Sequence, residues 1–263
     1  MLKRKKLIVL AAVLAAAAAL VVYVRAQYVL PVLMYHSVMP EVPAGNAITV
    51  SVSTFERQMA FLGKNGYNVV RLGELADYYS GKRKFPARTI AITFDDGYED
   101  NYIYAFPVLK KYNLPAAVFI IIAKVGEPGY LKWEQISEMN ALGLVTFGSH
   151  TLTHPFLPYE KSDRVLEEEI CGSRKELESR LGRKVELFCY PMGRFDSRVE
   201  QKVKDAGYKL GVATNPGWRF PSSDAFAVKR IRISENCRNL FVFWFETSGY
   251  YNFIREIRQR RKK

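Results

Sequence analysis

The chain has 263 residues, 49% of them hydrophobic and 25% charged, a size that suits one large α/β domain better than two small ones. Its net charge of +13 lies mostly at the ends: Lys3, Arg4, Lys5, Lys6 and Arg25 carry +5, residues 255–263 another +5, and residues 26–254 only +3. That distribution argues against a nucleic-acid surface, and the three cysteines, Cys171, Cys189 and Cys237, form no CxxC pair, which argues against a disulfide framework or a cysteine zinc knuckle.

In chain order, Leu7 to Val24 is eighteen residues without a charge, preceded by Lys3-Arg4-Lys5-Lys6. Such a run rises roughly 27 Å as a helix, close to a bilayer core. A single N-terminal transmembrane helix is therefore expected, with the basic stub inside and the domain outside the cytoplasm. Arg25 spoils the only cleavage exit, at Ala26, so an anchor is preferred to a cleaved signal; a cleaved chain would be secreted. Residues 1–27 form this segment, 28–250 the folded domain, and 251–263 a basic tail.

Val29 to Tyr35 reads as a buried strand ending at His36, and the stretch from Pro40 to Asn46 as a loop. Ser53 caps a helix running to Lys64, with Phe55, Met59 and Leu62 on one face and Gly66 as its stop. Strands follow at Tyr67 to Val70 and Thr89 to Phe94, then a helical stretch toward Tyr112 and a strand from Ala116 to Ile122. A helix from about Lys132 to Leu142, a strand from Leu144 to Gly148 and a charged helix from Asp163 to Leu181 continue the alternation. Val185 to Tyr190, the helix Ser197 to Ala206, Leu210 to Ala213 and Val228 to Ile233 complete it. Repeated βα units of this length imply a largely parallel sheet, open or closed into a barrel. In both, ligands gather where strands end, and His36, Asp95-Asp96 and His150 fall at such ends.

Only three histidines occur, and two sit four apart in Ser149-His150-Thr151-Leu152-Thr153-His154. On a helical turn two imidazoles at that spacing face one way, and a carboxylate from another segment can complete a three-ligand metal site with one position open. Asp95-Asp96 offers that carboxylate and a spare, because neighbours on an extended chain point to opposite sides. Alone, Asp95-Asp96-Gly97 reads as a capping turn and HxxxH as a loop device; together they point to a catalytic metal.

Thr93-Phe94-Asp95-Asp96-Gly97, the HxxxH segment and Tyr190-Pro191-Met192-Gly193, taken in order, resemble the successive motifs of carbohydrate esterase family 4, the polysaccharide deacetylases. Pro31 to His36 resembles the start of the poly-N-acetylglucosamine deacetylase subgroup, in which the catalytic histidine comes early. The resemblance covers nearly all of residues 29–235 and implies a distorted (β/α) barrel. It makes Asp96, His150 and His154 ligands of a divalent metal, zinc in the first place, with cobalt or nickel as other candidates. It makes Asp95 the general base and His36 the general acid; other members draw that histidine from near the C-terminus, whereas here none follows His154. Cys189 stands where many members carry an arginine that pairs with the base, and Arg230, with Arg232 as its rival two residues on, resembles a replacement. Tyr190 and Met192 of the third motif are expected at the substrate, Met192 through its backbone N–H, and Trp218 is the candidate to stack on a sugar. Trp133 reads rather as core, and Tyr98 as either.

The function so implied is hydrolytic removal of N-acetyl groups from an N-acetylglucosamine polymer of the cell envelope, with release of acetate. A related amidohydrolase acting on a small amide and a non-catalytic carbohydrate-binding relative are the alternatives. Nothing points to nucleic acid or to an obligate protein partner.

Overall fold

Thr89–Phe94 reads TIAITF, and all six side chains are buried. A strand hidden on both faces belongs in a parallel sheet covered by helices. The computed structural model, which describes residues 2–214 and 224–260, has that architecture. An N-terminal helix α1 (Leu2–Ala26) leads into β1 (Val32–Tyr35), β2 (Ser37–Met39), β3 (Thr49–Ser51), α2 (Val52–Lys64), β4 (Asn68–Val69), α3 (Leu75–Tyr79), β5 (Thr89–Phe94), α4 (Phe106–Tyr112), β6 (Ala116–Ile120), α5 (Trp133–Ala141) and β7 (Val145–Ser149). Next, α6 (Asp163–Glu167), a π-helical turn (Glu168–Gly172) and α7 (Ser173–Leu181) run on without a break, where the sequence predicts one regular helix. After them come β8 (Leu187–Cys189), α8 (Ser197–Asp205), β9 (Leu210–Ala213), β10 (Val228–Lys229), β11 (Ile231–Arg232), α9 (Leu240–Glu246) and α10 (Tyr251–Arg260).

Local chemistry sets these boundaries. The hydroxyl of Ser51, rather than the expected Ser53, caps α2 by accepting from the Thr54 N–H at 3.2 Å, and Phe55, Met59 and Leu62 form its buried face. Asp196 caps α8 in the same way, accepting from the Val199 N–H at 2.8 Å.

The main sheet runs β10-β9-β8-β7-β6-β5-β1-β11, with β4 on β5, and its pairings are parallel. Its two ends, β10 and β11, are separated in the chain by Arg230 alone. The expected single strand from Val228 to Ile233 is thus one bent segment that pairs with β9 on one side of Arg230 and with β1 on the other, and the bend closes the sheet into a barrel. Alternate residues then divide into two cores. Val32, Ala91, Ala117, Leu187, Val212 and Val228, from strands around the ring, meet one another inside it. Their neighbours Leu33, Ile92, Val118, Phe188, Ala213 and Ile231 pack outward under the helices. Each large apolar side chain so buried contributes roughly 1.5–3 kcal/mol.

At the amino-terminal side of β1, the Val29 N–H donates to the Gly249 carbonyl at 2.9 Å, and Tyr23 meets Phe253 edge-on at 6.1 Å. Lys229, buried, donates to Glu256 at 2.6 Å. The segment from residue 251, expected as a basic tail, is helical and docks through Phe253 and Glu256. As for the expected transmembrane span, its backbone is helical, but the side chains of residues 7–9 lie outside those described. Among the described residues no helix is long and apolar enough to cross a membrane.

Candidate active site

The carboxyl ends of β1, β5, β7 and β8 bring together His36, Asp95, Asp96, His150 and Cys189, and the bend between β10 and β11 adds Arg230. Asp95 continues the β5 direction, its N–H donating to the Tyr35 carbonyl at 2.9 Å, and its side chain turns into the barrel. Asp96 takes the left-handed conformation (φ 69°), which Asp tolerates better than most residues, and so sends its carboxylate the other way. Gly97 follows with φ 74°, and a Cβ there would stand 2.9 Å from Ile120. The two acids are divided as expected, by a turn rather than by a regular pleat.

Asp96 Oδ1 lies 3.5 Å from His150 Nε2 and 3.9 Å from His154 Nε2. Tetrahedral zinc with bonds of about 2.0–2.1 Å holds its ligand atoms about 3.3–3.4 Å apart, so these three donors fit one small divalent ion. The His150 Nδ1 faces the Cys189 carbonyl at 2.8 Å, which assigns the proton to Nδ1 and leaves Nε2 as the free donor. Burial pushes His150 down to about 3 and also lowers His154, so both imidazoles are neutral near pH 7, as ligation requires. Burial first, then the charge of Asp95, raises Asp96 above the ordinary carboxylate value. Tyr98 donates to Asp96 and stacks on Tyr130 at 5.2 Å, which gives that residue a place beside the ligands.

Asp95, His150 and Cys189 make a second candidate donor group, but its electrostatics oppose a cation. Both oxygens of Asp95 accept from Arg230, at 2.6 Å from Nη1 and 2.7 Å from Nη2, and Nη2 also reaches the Cys189 sulfur at 3.1 Å. Burial holds the Cys189 thiol far above its ordinary pKa. Burial would likewise raise Asp95, yet the charge and hydrogen bonds of Arg230, helped by His150 and His36, outweigh it and hold Asp95 well below the usual range. Arg230, and not Arg232, is the partner of the acid. The two do not share a face as a continuous strand would make them: the bend buries Arg230 in the barrel and leaves Arg232 exposed.

His36 Nε2 stands 3.9 Å from Asp95 Oδ2, in the same cluster as the acids although more than a hundred residues from the HxxxH pair. Its corner is held by residues the sequence does not single out. Asp100 accepts from the Ser37 hydroxyl at 2.6 Å and the Val38 N–H at 3.2 Å, and Asn101 donates to the His36 carbonyl at 2.7 Å and to Asp100 at 2.8 Å. Their position just beyond the Asp-Asp-Gly turn was the one available signal.

The third motif differs from expectation in one residue. Met192 lies on a left-handed turn (φ 56°) with its side chain in solvent. Gly193 beside it (φ 65°) is required, because a Cβ would meet Thr214 at 2.4 Å. Tyr190, expected at the substrate, is instead fully buried, stacked on Phe195 at 4.1 Å and edge-on to Phe188 at 5.2 Å, because its strand position faces the helix layer. Trp133 packs against the core beneath Arg180, as expected. Trp218 lies outside the described residues.

The rim thus offers groups that amide hydrolysis can use: a candidate site for a divalent metal, an ionised carboxylate beside it, and an imidazole 3.9 Å from that carboxylate. Comparison with known proteins agrees with that class. Residues 82–211 match the family described as polysaccharide deacetylase. A poly-beta-1,6-N-acetyl-D-glucosamine N-deacetylase of Staphylococcus aureus is 32% identical over 200 residues, spanning 72% of this chain and 69% of the relative. The Streptococcus pyogenes deacetylase PplD in complex with acetate superposes with a TM-score of 0.74 at 30% identity, covering 81% of this chain and 97% of that one. IcaB from Ammonifex degensii gives a TM-score of 0.74 at 30% identity, covering 83% and 97%. The chain belongs to the polysaccharide deacetylase family, carbohydrate esterase family 4, and is a hydrolase of that family.

Proposed function

We propose that the protein is a metal-dependent N-deacetylase that removes acetyl groups from an N-acetylglucosamine polymer of the cell envelope and releases acetate. The convergence of Asp96, His150 and His154 on one point, beside the Arg230-paired Asp95, carries this reading. The Staphylococcus aureus relative, named for poly-beta-1,6-N-acetyl-D-glucosamine, supports the choice of polymer.

A divalent ion held by Asp96, His150 and His154 would supply Lewis-acid chemistry, polarising a carbonyl and acidifying water. Asp95, kept ionised by Arg230, accepts at its carboxylate the proton of the attacking water. Arg230 grips both oxygens of Asp95 and fixes the plane in which they accept. The backbone N–H at Met192 is the proposed donor to the oxyanion that develops on the substrate. His36, protonated, delivers a proton from Nε2 to the departing amine nitrogen.

The test is acetate release from poly-β-1,6-N-acetylglucosamine and from chitooligosaccharides, with and without prior chelation. Metal-restored release is expected; no release from either polymer by the metal-loaded protein overturns the proposal. Asp95→Asn should abolish turnover with metal still bound, whereas His154→Ala should lose the metal. Equal metal loss in both would show the carboxylate roles to be reversed.

We also propose that the N-terminal segment holds the domain to the outer side of the membrane, on the strength of the uncharged run Leu7 to Val24 behind four basic residues. The full chain should remain in the pellet after alkaline carbonate extraction of membranes; release into the supernatant would refute anchoring.

A further inference from the structure

His150 and His154 sit four apart, the spacing of a helical turn, yet the segment joining them is not helical. Thr151 and His154 both adopt the left-handed conformation, with φ 68° and 66°. A β-branched residue avoids that region, so the loop must be held there by its surroundings. Part of the holding comes from the loop itself and part from the segment after β6. The Thr151 N–H donates to Ser149 Oγ at 3.1 Å, the His154 N–H to Thr151 Oγ1 at 3.0 Å, and the carbonyls of Thr151 and Leu152 accept from the N–H groups of Ile122 (3.2 Å) and Ala123 (2.9 Å).

The N–H groups of Leu152 and Thr153, at the crown of the loop, both donate to Glu169 Oε2 at 2.9 Å, and the Thr153 hydroxyl donates to Oε1 at 2.6 Å. Glu169 is buried, and these hydrogen bonds of its carboxylate all go to this one loop. It stands on the π-helical turn between α6 and α7, where Gly172 lets Leu152 pack close: a Cβ at that glycine would stand 3.2 Å from Leu152 Cδ1. A wide turn of this kind is a frequent mark of function. Burying a carboxylate is costly, and here the compensation comes from the loop between the two imidazoles.

We infer that Glu169 is a positioning residue of the metal centre: by clamping Leu152 and Thr153 it fixes the spacing of His150 and His154 and so sets metal affinity. The inference rests on the reading of Asp96, His150 and His154 as ligands.

The test uses the full chain, with zinc affinity measured by competition against a chromophoric chelator and thermal unfolding followed with and without zinc. Glu169→Ala should weaken zinc binding about 10–100-fold and shrink the rise in Tm that zinc produces. A role in the fold alone would lower Tm equally in both conditions. Glu169→Gln is the rescue variant, since its amide oxygen can accept both N–H groups and its NH2 can donate to the Thr153 hydroxyl; its zinc affinity should stay close to wild type. Wild-type affinity in Glu169→Ala, or equal losses in the Ala and Gln variants, overturns the inference. Should Glu169→Ala fail to fold, Thr153→Val carries the test: weaker zinc binding supports the clamp, and unchanged binding overturns it. Zinc retained by His154→Ala would instead overturn the assignment of ligands, whatever Glu169 does.

Discussion

Asp95 is pulled two ways. Burial favours its neutral form, while the bidentate contact from Arg230 favours the carboxylate and wins. The acid is thereby available as a base over the working range, at the cost of low basicity while Arg230 is in place. Arg230→Met should reverse the balance. The acidic limb of the kcat/KM profile should move to higher pH, because Asp95 would take up a proton it now excludes. Urea unfolding should show a loss of about 3–5 kcal/mol, the usual result of stranding one member of a buried ion pair. An unmoved acidic limb would mean that Arg230 is not what keeps Asp95 ionised. Cys189 takes part in the same arrangement: standing where the resemblance places an arginine in many members, it presents its sulfur to the guanidinium that reaches across β9 from the bend between β10 and β11.

At the scale of elements, the corner after β1 is held by the segment after β5, through Asp100 and Asn101. Asp100→Ala should let His36 drift and lower kcat by roughly 10²-fold, with zinc affinity retained. In a His36→Ala background the same substitution should cost little more; an equal loss in both backgrounds would show that it does not act through His36. Much of this architecture is legible in the sequence. Thr89 to Phe94 has the predicted limits because a run of apolar and β-branched residues between Arg88 and Asp95 leaves no other register. The liganding geometry is less legible. HxxxH spacing reads as a helical turn, and only the left-handed Thr151 and His154, with Glu169 gripping Leu152 and Thr153 between them, make it a loop. Glu169 itself follows Glu167 and Glu168 and looks like part of a solvated acidic face. Tyr190 departs from expectation because it extends the alternation of β8 by one residue, which puts it on the helix-facing side with Phe188. The choice between Arg230 and Arg232 turned on a bend that no local preference announces.

For the whole molecule, the buried neutral imidazoles link stability to pH. Burial lowers His150 to about 3 in the folded state, while an unfolded histidine titrates near 6.5. Below about pH 6.5 the unfolded chain therefore takes up a proton that the folded chain refuses. The stability this group contributes is complete above that pH and is lost as pH falls toward 3. Asp95 adds a loss of the same sign, beginning only below about pH 4. Metal-free protein should accordingly show a urea midpoint that declines from about pH 6.5 downward, and the decline should be shallower in His150→Gln. A midpoint that stays flat between pH 6.5 and 4 would contradict the linkage.

The closure of the barrel ties chemistry to the order in which the chain is made. Asp95 and Asp96 emerge early from the ribosome, and the residue that keeps Asp95 charged arrives only with the bent segment that seals the ring, 135 positions later. A chain that stops short of that segment would carry the acid without its counter-charge and a sheet with two unpaired edges, so the same few residues that close the ring also bring the charge Asp95 is paired with.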